Sequence, residues 1–240
     1  MKLVLLIIIS YFSGAIPIGF LIGKIITARL KHKDKLKNRG YFASLRAKFK
    51  NGWDIRKFGS GNPGGTNVLR VFKRVPKIGP APGVITILIQ ALMSFSVVLF
   101  LAPYFANGIN TSLCQVIAGL FCVLGNSFTV FFPSNFKGGK AVATATGVFA
   151  ALMPLPVVFA FLIWLAIVKL KGIVSLGSIV SPFALLVGYF IYLWIFGLPV
   201  FSVDNSSKTI FIIILAGFIL YTHRKNIKAL LQGKENSFKK

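Results

Sequence analysis

Acidic residues are scarce in this sequence: its 240 residues include four Asp and Glu against 28 Lys and Arg. Charged residues of both signs make up 13% of the chain, whereas a soluble domain carries about 25%. This composition excludes an ordinary soluble enzyme. Because the carboxylates form no cluster along the chain, a Mg²⁺ or Zn²⁺ site is not expected, and we predict neither a metal nor another cofactor.

Cysteine is also scarce. Cys114 and Cys122 lie eight residues apart in one apolar stretch. A helix separates such positions by roughly 12 Å along its axis, which is too far for a disulfide. We therefore expect both cysteines to be small packing residues.

Long apolar stretches are abundant: 55% of the residues are hydrophobic, and the mean hydropathy is +0.79. The basic excess would suit a nucleic-acid-binding protein, but apolar runs of ~20 residues do not, so no nucleic-acid partner is expected. The sequence predicts an all-α polytopic membrane protein of about seven transmembrane helices, at residues 3–28, 83–106, 113–132, 141–153, 157–170, 173–198 and 209–222. Two of them, 141–153 and 209–222, are short for a span of ~20 residues.

The distribution of basic residues predicts the orientation of these helices, because cytoplasmic loops are enriched in Lys and Arg. The segment 29–77 carries 15 of them and is expected in the cytoplasm, which leaves the N-terminus outside. The connector 103–112 has no charged residue and fits the outside. The basic tail after residue 223 returns to the cytoplasm, so the predicted topology is N-out and C-in.

Two prolines determine the number of helices in the stretch 141–170. A single long helix would place Lys169 on the opposite side from Lys140, against the trend of the other loops. Pro154 and Pro156 interrupt the stretch, and paired prolines end a helix. We therefore expect a hairpin of two helices, with both lysines on the cytoplasmic side.

The chain is predicted to be a single integral membrane domain over residues 1–240, with a basic insertion at about 31–58. In this insertion, apolar and aromatic residues alternate with basic ones: Tyr41, Phe42, Leu45, Phe49 and Trp53. The pattern favours an amphipathic helix on the inner leaflet, in contact with anionic lipid. A solvated basic loop is the alternative.

Three polar clusters are expected on the cytoplasmic side. The first is a glycine-rich loop that ends shortly before Arg70, with the sequence Gly59-Ser60-Gly61-Asn62-Pro63-Gly64-Gly65-Thr66-Asn67. Glycines allow positive φ and a close approach of backbone N–H donors to an anion, although the order matches neither a Walker A loop nor a dinucleotide fingerprint. A plain turn is the alternative. Arg70, ten residues from Ser60 at the same membrane face, favours a phosphate site.

The second cluster, Lys137-Gly138-Gly139-Lys140, precedes a predicted helix. Backbone donors, a positive helix end and two ammonium groups would suit an anion, whereas the alternative is a basic membrane anchor. The third cluster contains His223 and Asn226, which share a helix face at a spacing of three. A histidine next to a membrane is otherwise an incidental interface residue.

These residues resemble the membrane-bound acyl-phosphate:glycerol-3-phosphate acyltransferase family (the PlsY type) of bacterial phospholipid synthesis. Ser13 to Gly19 is similar to the family's first-helix pattern, and the three clusters are similar to its three signatures, the last extended by Gly233 and Glu235. The resemblance implies transfer of a fatty acyl group from acyl phosphate to the 1-hydroxyl of sn-glycerol 3-phosphate, giving 1-acyl-glycerol 3-phosphate (lysophosphatidate) and phosphate. It also implies a multi-pass protein of the bacterial inner membrane whose site faces the cytoplasm.

The resemblance further implies roles for particular residues. The catalytic candidates are His223, Asn226 and Ser60, and Glu235 is expected to be structural. The candidates for substrate binding are Ser60, Gly61, Asn62, Thr66, Asn67, Arg70, Lys137, Gly138, Gly139, Lys140, Ser175, Ser178, His223 and Asn226. The chain departs from the family pattern at Asn126, where a histidine is usual, and at Ala141, where a third glycine is usual. An acidic residue and a lysine of the second span are absent near Gln90.

The chemistry leaves two proton acceptors open. Acyl phosphate is already activated, so the protein must bring two anions together and stabilise charge on the carbonyl oxygen. Either His223 or the departing phosphate could take the hydroxyl proton. A channel or transporter for a small anionic solute is the alternative function, although the predicted spans contain no Asp or Glu for proton coupling.

Overall fold

The computed structural model describes residues 1–32, 54–73, 75, 78–106, 108–134 and 136–237. The amphipathic helix predicted within about 31–58 falls mainly on residues outside these ranges. The described part of that segment ends in a short 3-10 turn at Ile55–Lys57.

The described residues are almost entirely helical, with one isolated β-bridge between Phe128 and Lys137. In chain order the helices are α1 Lys2–Ala15, α2 Ile18–His32, α3 Gly65–Phe72, α4 Ala81–Phe105, α5 Thr111–Ser127, α6 Val142–Leu152, α7 Pro154–Lys171, α8 Val174–Ile195, α9 Val203–Thr222 and α10 Arg224–Leu231. The last part of α4 contains a π-helical turn at Val97–Leu101.

Four of the described helices are long and apolar enough to cross a membrane, namely α4, α7, α8 and α9. Helices α1 and α2 together would make a fifth span, bent by 40° at the break before Ile18. Helices α5 and α6 are apolar but shorter, with 17 and 11 residues. The protein is therefore all-helical with four or five candidate spans. The count of seven spans and the N-out orientation remain predictions.

One helix is longer than its apolar stretch predicted. The prediction that the last span is short was wrong, because α9 begins at Val203 and has 20 residues. Its polar first turn is capped by Ser202, whose Oγ accepts a hydrogen bond from Asn205 N (3.1 Å), and contains Asp204 near the positive end of the helix. Hydropathy alone does not register such a capped polar turn.

The predicted interruption at the paired prolines is confirmed. Met153 separates α6 from α7, and Pro154 is the first residue of α7, where its missing N–H leaves no helical hydrogen bond unmade. Helix α6 is short, as predicted for this segment.

Small residues let the helices approach closely. A Cβ on Gly14 of α1 would lie 1.9 Å from the carbonyl oxygen of Cys122 in α5, so only glycine fits there. Between α4 and α6, Ser94 Oγ donates to Thr144 O (2.9 Å). Cys114 and Cys122 are both buried and unpaired, as expected.

The chain segments after α5, between α7 and α8, and after α9 meet at one end of the bundle. Lys140 Nζ donates to Asn226 Oδ1, and Ser175 Oγ donates to Glu235 Oε1 (2.8 Å). The loop after α5 and the first turn of α8, which follows the loop after α7, therefore lie at the same end of the bundle. The N-terminal ends of α5 and α9 are joined by Asn110 Nδ2, which donates to Asp204 Oδ1 (2.8 Å).

Candidate active site

The glycine-rich loop 59–67 is shaped from within by Asn67, which is only 2% exposed in the first turns of α3. Its Nδ2 donates to the carbonyl oxygens of Phe58 and Asn62, both at 2.9 Å, and its Oδ1 accepts from Ser60 N (2.8 Å). Gly59 has a φ of +57°, and a Cβ there would lie 2.2 Å from Asn67 Oδ1. We therefore assign the Asn67 amide to holding the loop.

The other candidates of this loop lie closer to its surface. Ser60 is exposed, and Gly61, Asn62 and Thr66 are half-buried. Asn62 Oδ1 accepts from Gly64 N (2.8 Å), which braces the turn before α3. Between the described residues, no direct hydrogen bond joins Ser60 to the second or third cluster.

Arg70 lies in the last turn of α3 and is half-buried. Burial lowers the pKa of its guanidinium, and the negative charge of Glu235 opposes that effect. Since Coulomb interactions act over short range near a protein surface, α3 presents Arg70 to the same end of the bundle as Glu235. Arg70 of the first cluster thus lies near Glu235, which follows the third cluster.

The second cluster lies directly against the end of α5. Gly138 N donates to Ser127 O (2.9 Å), and Gly139 N donates to Asn126 O (2.8 Å). The prediction that the backbone N–H groups of this glycine pair are open to an anion was wrong, because both are engaged within the protein. Glycine is needed for close packing instead, since a Cβ on Gly138 would lie 2.0 Å from Asn126 O.

Lys140 is the central cation of the site. Its ammonium donates to Asn226 Oδ1, Asn226 Nδ2 donates to Glu235 Oε1 (2.8 Å), and Ser175 Oγ donates to the same oxygen (2.8 Å). This chain of hydrogen bonds joins four separate segments. Glu235 holds Asn226 and Ser175, in agreement with its expected structural role.

The pKa of Lys140 is lowered to about 8, chiefly by burial; the charge of Glu235 opposes this shift, and the positive charges of Arg70 and Lys137 add to it. Arg70 and Lys137 therefore lie within electrostatic range of Lys140, and Arg70 and Lys140 lie within range of the Glu235 carboxylate. An anionic ligand placed among them would be stabilised by charge and would stabilise the ammonium in return. Lys137 itself is exposed at the edge of the site.

His223 follows α9 directly and is 2% exposed. Its Nδ1 lies 2.9 Å from Ile219 O. Because a carbonyl oxygen can only accept, Nδ1 carries the proton and Nε2 keeps its lone pair. Burial, and after it the charge of Lys140, lowers the pKa of His223 to about 4. The imidazole is therefore neutral at physiological pH.

The two serines of α8 differ. Ser175 reaches Glu235, as described above, whereas Ser178 is buried and donates to Val174 O of its own helix (3.0 Å). The structure thus brings Ser175 into the site. The hydroxyl hydrogen of Ser178 is engaged within α8.

A shallow groove lies between the first two clusters. Its walls come from the bend between α1 and α2, from Pro63 of the first loop, and from Phe132 and the glycine pair of the second. Gln90 and Asn126 add the polar groups of two amides. Asn126 is a position where the chain departs from the family pattern, and that departure was a signal that could have marked it as a site residue.

The described residues contain no group of three or more His, Cys, Asp or Glu side chains that could hold a metal ion. The polar groups of the site are amides, hydroxyls, one imidazole, one carboxylate and three cations. Such a set suits phosphate groups.

Comparisons with known proteins agree with one another. The family model described as glycerol-3-phosphate acyltransferase matches residues 40–233. The chain is 34% identical over 238 residues to a glycerol-3-phosphate acyltransferase of Aquifex aeolicus (strain VF5), which covers 99% of this chain and 100% of the relative. It is 33% identical over 255 residues to one of Chlorobium phaeobacteroides (strain BS1), at 99% and 97% coverage.

Two crystal structures are also similar to this chain. They show PlsY (YgiH), an integral membrane glycerol 3-phosphate acyltransferase, in its glycerol 3-phosphate form and in its lysophosphatidic acid form. The TM-scores are 0.72 and 0.69, at 32% sequence identity, with 99% of this chain and 96% of the other covered.

Proposed function

Because the chain belongs to the glycerol-3-phosphate acyltransferase family, we propose that it transfers a fatty acyl group from acyl phosphate to the 1-hydroxyl of sn-glycerol 3-phosphate. The products are 1-acyl-glycerol 3-phosphate (lysophosphatidate) and phosphate. The observation that carries this proposal is the approach of Arg70 and Lys137 to Lys140, whose ammonium is joined through Asn226 to Glu235.

Three cations suit a reaction between two phosphate-bearing substrates. Each substrate brings negative charge, and the two would repel each other in water. Arg70 can bind a phosphate through two parallel hydrogen bonds, and the lysines act as point charges. Ser60 and Thr66, at the surface of the first loop, add hydroxyl donors. Bringing both anions together in this way removes much of the entropic cost of the reaction.

The acyl transfer can be written with its atoms balanced. The 1-hydroxyl oxygen attacks the carbonyl carbon, the bond from that carbon to the phosphate oxygen breaks, and the hydroxyl proton ends on the released phosphate. Lys140 and Asn226 are suited to stabilise negative charge on the carbonyl oxygen as it develops.

The released phosphate is the better proton acceptor. An imidazole with a pKa of about 4 is a weak base at neutral pH. We therefore assign His223 to accepting a hydrogen bond from the substrate hydroxyl at Nε2, which orients that hydroxyl for attack. No acyl-enzyme is needed, since the mixed anhydride already carries its leaving group.

The membrane supplies the acyl donor. The groove between the first two clusters has apolar walls from Ile16, Pro17 and Phe132, which suits the carbonyl end of a fatty acyl chain. We place the site at the cytoplasmic face of the bacterial inner membrane, because the basic residues of the second and third clusters lie at one end of the bundle. The basic segments around it would contact anionic lipid.

The test is turnover by the purified protein in lipid nanodiscs with EDTA present. We expect phosphate and lysophosphatidate to form in equal amounts, and only when acyl phosphate and glycerol 3-phosphate are both supplied. Arg70→Gln should lower kcat/KM by about 10-fold to 100-fold, the loss of a hydrogen bond to a charged group. Lys208→Gln, which removes a cation near the opposite end of α9, is the matched control. Turnover with acyl thioesters but not acyl phosphate would overturn the assigned donor.

The alternative of a channel or transporter finds no support in the family to which the chain belongs. Uptake of labelled glycerol 3-phosphate into liposomes holding the protein should equal that into empty liposomes.

A further inference from the structure

Asn126 lies at the end of α5 and is 7% exposed, beneath the second cluster. Its Oδ1 accepts from Ala141 N (3.1 Å), its backbone oxygen accepts from Gly139 N (2.8 Å), and its Nδ2 donates to Gly14 O of α1 (3.5 Å). One residue thus joins α1, α5 and the segment that carries Lys140.

The segment held by Asn126 is strained at both ends. Among the described residues, Phe136 and Ala141 are the two non-glycine residues with positive φ, at +49° and +58°. A left-handed backbone is unfavourable for residues other than glycine. Such a conformation persists only where neighbouring contacts hold it. At Ala141, the hydrogen bond from its N–H to Asn126 Oδ1 is such a contact.

We infer that Asn126 is a positioning residue: its side chain holds Ala141 in the left-handed conformation and thereby directs Lys140 towards Asn226 and Glu235. The peptide unit between residues 140 and 141 carries the N–H that Asn126 binds. If Ala141 relaxed to an ordinary φ, this unit would rotate, and the Lys140 side chain would leave its place. An amide suits the task because it provides an acceptor for Ala141 and a donor for Gly14 at once.

This inference rests on the proposed function only where activity is measured, so its test begins with a readout that needs no substrate. The reactivity of Lys140 towards an amine-acylating reagent, followed by mass spectrometry across a range of pH, reports the fraction of uncharged amine. In the native protein, that fraction should rise around pH 8.

In Asn126→Ala, Lys140 should leave its buried place and regain the ordinary pKa of a lysine, so its labelling at pH 8 should slow by ~10-fold or more. Adding Ala141→Gly should restore much of the labelling rate, because glycine adopts positive φ without strain. Ser112→Ala, which removes a buried hydroxyl from the same helix, should label like the native protein.

Should Asn126→Ala fail to fold, Gly139→Ala disturbs the same contact from the loop side, since its Cβ would lie 2.6 Å from Asn126 Oδ1.

Activity provides the second readout. Asn126→Ala should lower kcat/KM for glycerol 3-phosphate by ~10-fold or more, and Ala141→Gly should recover most of that loss. The inference would be overturned if Lys140 were labelled at the native rate in both Asn126→Ala and Gly139→Ala. It would also be overturned if labelling of Lys140 were slowed in Asn126→Ala and adding Ala141→Gly did not restore its rate. If the native protein proves inactive while the labelling behaves as described, the proposed function fails and the positioning role stands.

Discussion

Replacing Glu235 by Gln should lower the pH at which activity is lost on the alkaline side. Burial and two neighbouring cations lower the pKa of Lys140 and Glu235 raises it, and together they leave it at about 8. Gln keeps an oxygen that can accept from both Asn226 and Ser175, so the geometry is largely retained while the charge is removed. If the reaction needs the Lys140 ammonium, the alkaline limb of the rate profile reports its pKa.

The expected shift in the pKa of Lys140 follows from its distance to Glu235. The Lys140 ammonium and the Glu235 carboxylate lie on either side of the Asn226 amide. A separation of roughly 7 Å at an effective dielectric constant of ~20 corresponds to ~2.4 kcal/mol. One pKa unit corresponds to ~1.4 kcal/mol. The pKa of Lys140 should therefore fall from about 8 by roughly one to two pH units.

The assay is kcat/KM for glycerol 3-phosphate from about pH 5 to pH 9, because this parameter reports groups of the free enzyme. Asp204→Asn is the matched control: it removes the same charge at the N-terminal end of α9, where Asp204 accepts from Asn110, and should leave the profile unchanged. An alkaline limb in Glu235→Gln that coincides with that of the native protein would refute the link between Glu235 and Lys140.

Three further predictions concern other parts of the site. Arg70→Lys should lower kcat/KM by about 10-fold, because the planar guanidinium is lost although the charge remains. The control is Arg224→Lys, which changes an exposed arginine stacked on the Tyr221 ring and should leave kcat/KM at the native value. Gly138→Ala should lower both Tm and activity, because its Cβ would lie 2.0 Å from Asn126 O; a native Tm with a pure KM defect would contradict this. His223 has a pKa lowered to about 4, so below pH 6.5 the unfolded chain binds a proton that the folded one does not, and stability is lost as pH falls towards 4. His223→Gln should therefore show a smaller fall in Tm between pH 7 and pH 5, and equal falls would argue against the buried neutral imidazole.

Much of the fold could be predicted from periodicity and charge. The apolar stretches gave the approximate positions of the helices, and the paired prolines gave the break at Met153. The ends of helices were harder to predict where their first turn is polar. The start of α9 is an example, because it is set by the capping hydroxyl of Ser202 and not by an apolar residue. The bend between α1 and α2 lies at Pro17, within the stretch that was predicted as a single span.

The candidate site could be predicted as a set of neighbouring residues but not as a set of contacts. The signatures gave Arg70, Lys140 and Asn226, which the structure brings to one end of the bundle. The reason for the glycine pair was not predictable, since its partner Asn126 belongs to a different helix and only the fold brings the two together. The depressed pKa of His223 likewise comes from burial and from Lys140 rather than from its sequence neighbours.

The most direct measurement of the central claim is the fate of an isotope placed in the bridging oxygen of acyl phosphate. With [bridge-¹⁸O]acyl phosphate and glycerol 3-phosphate, acyl transfer breaks the bond between the carbonyl carbon and that oxygen. We expect ³¹P NMR to find the label in inorganic phosphate and none in lysophosphatidate. Label in a released fatty acid, with the phosphoryl group on glycerol 3-phosphate or water, would show cleavage on the phosphorus side and would contradict the account.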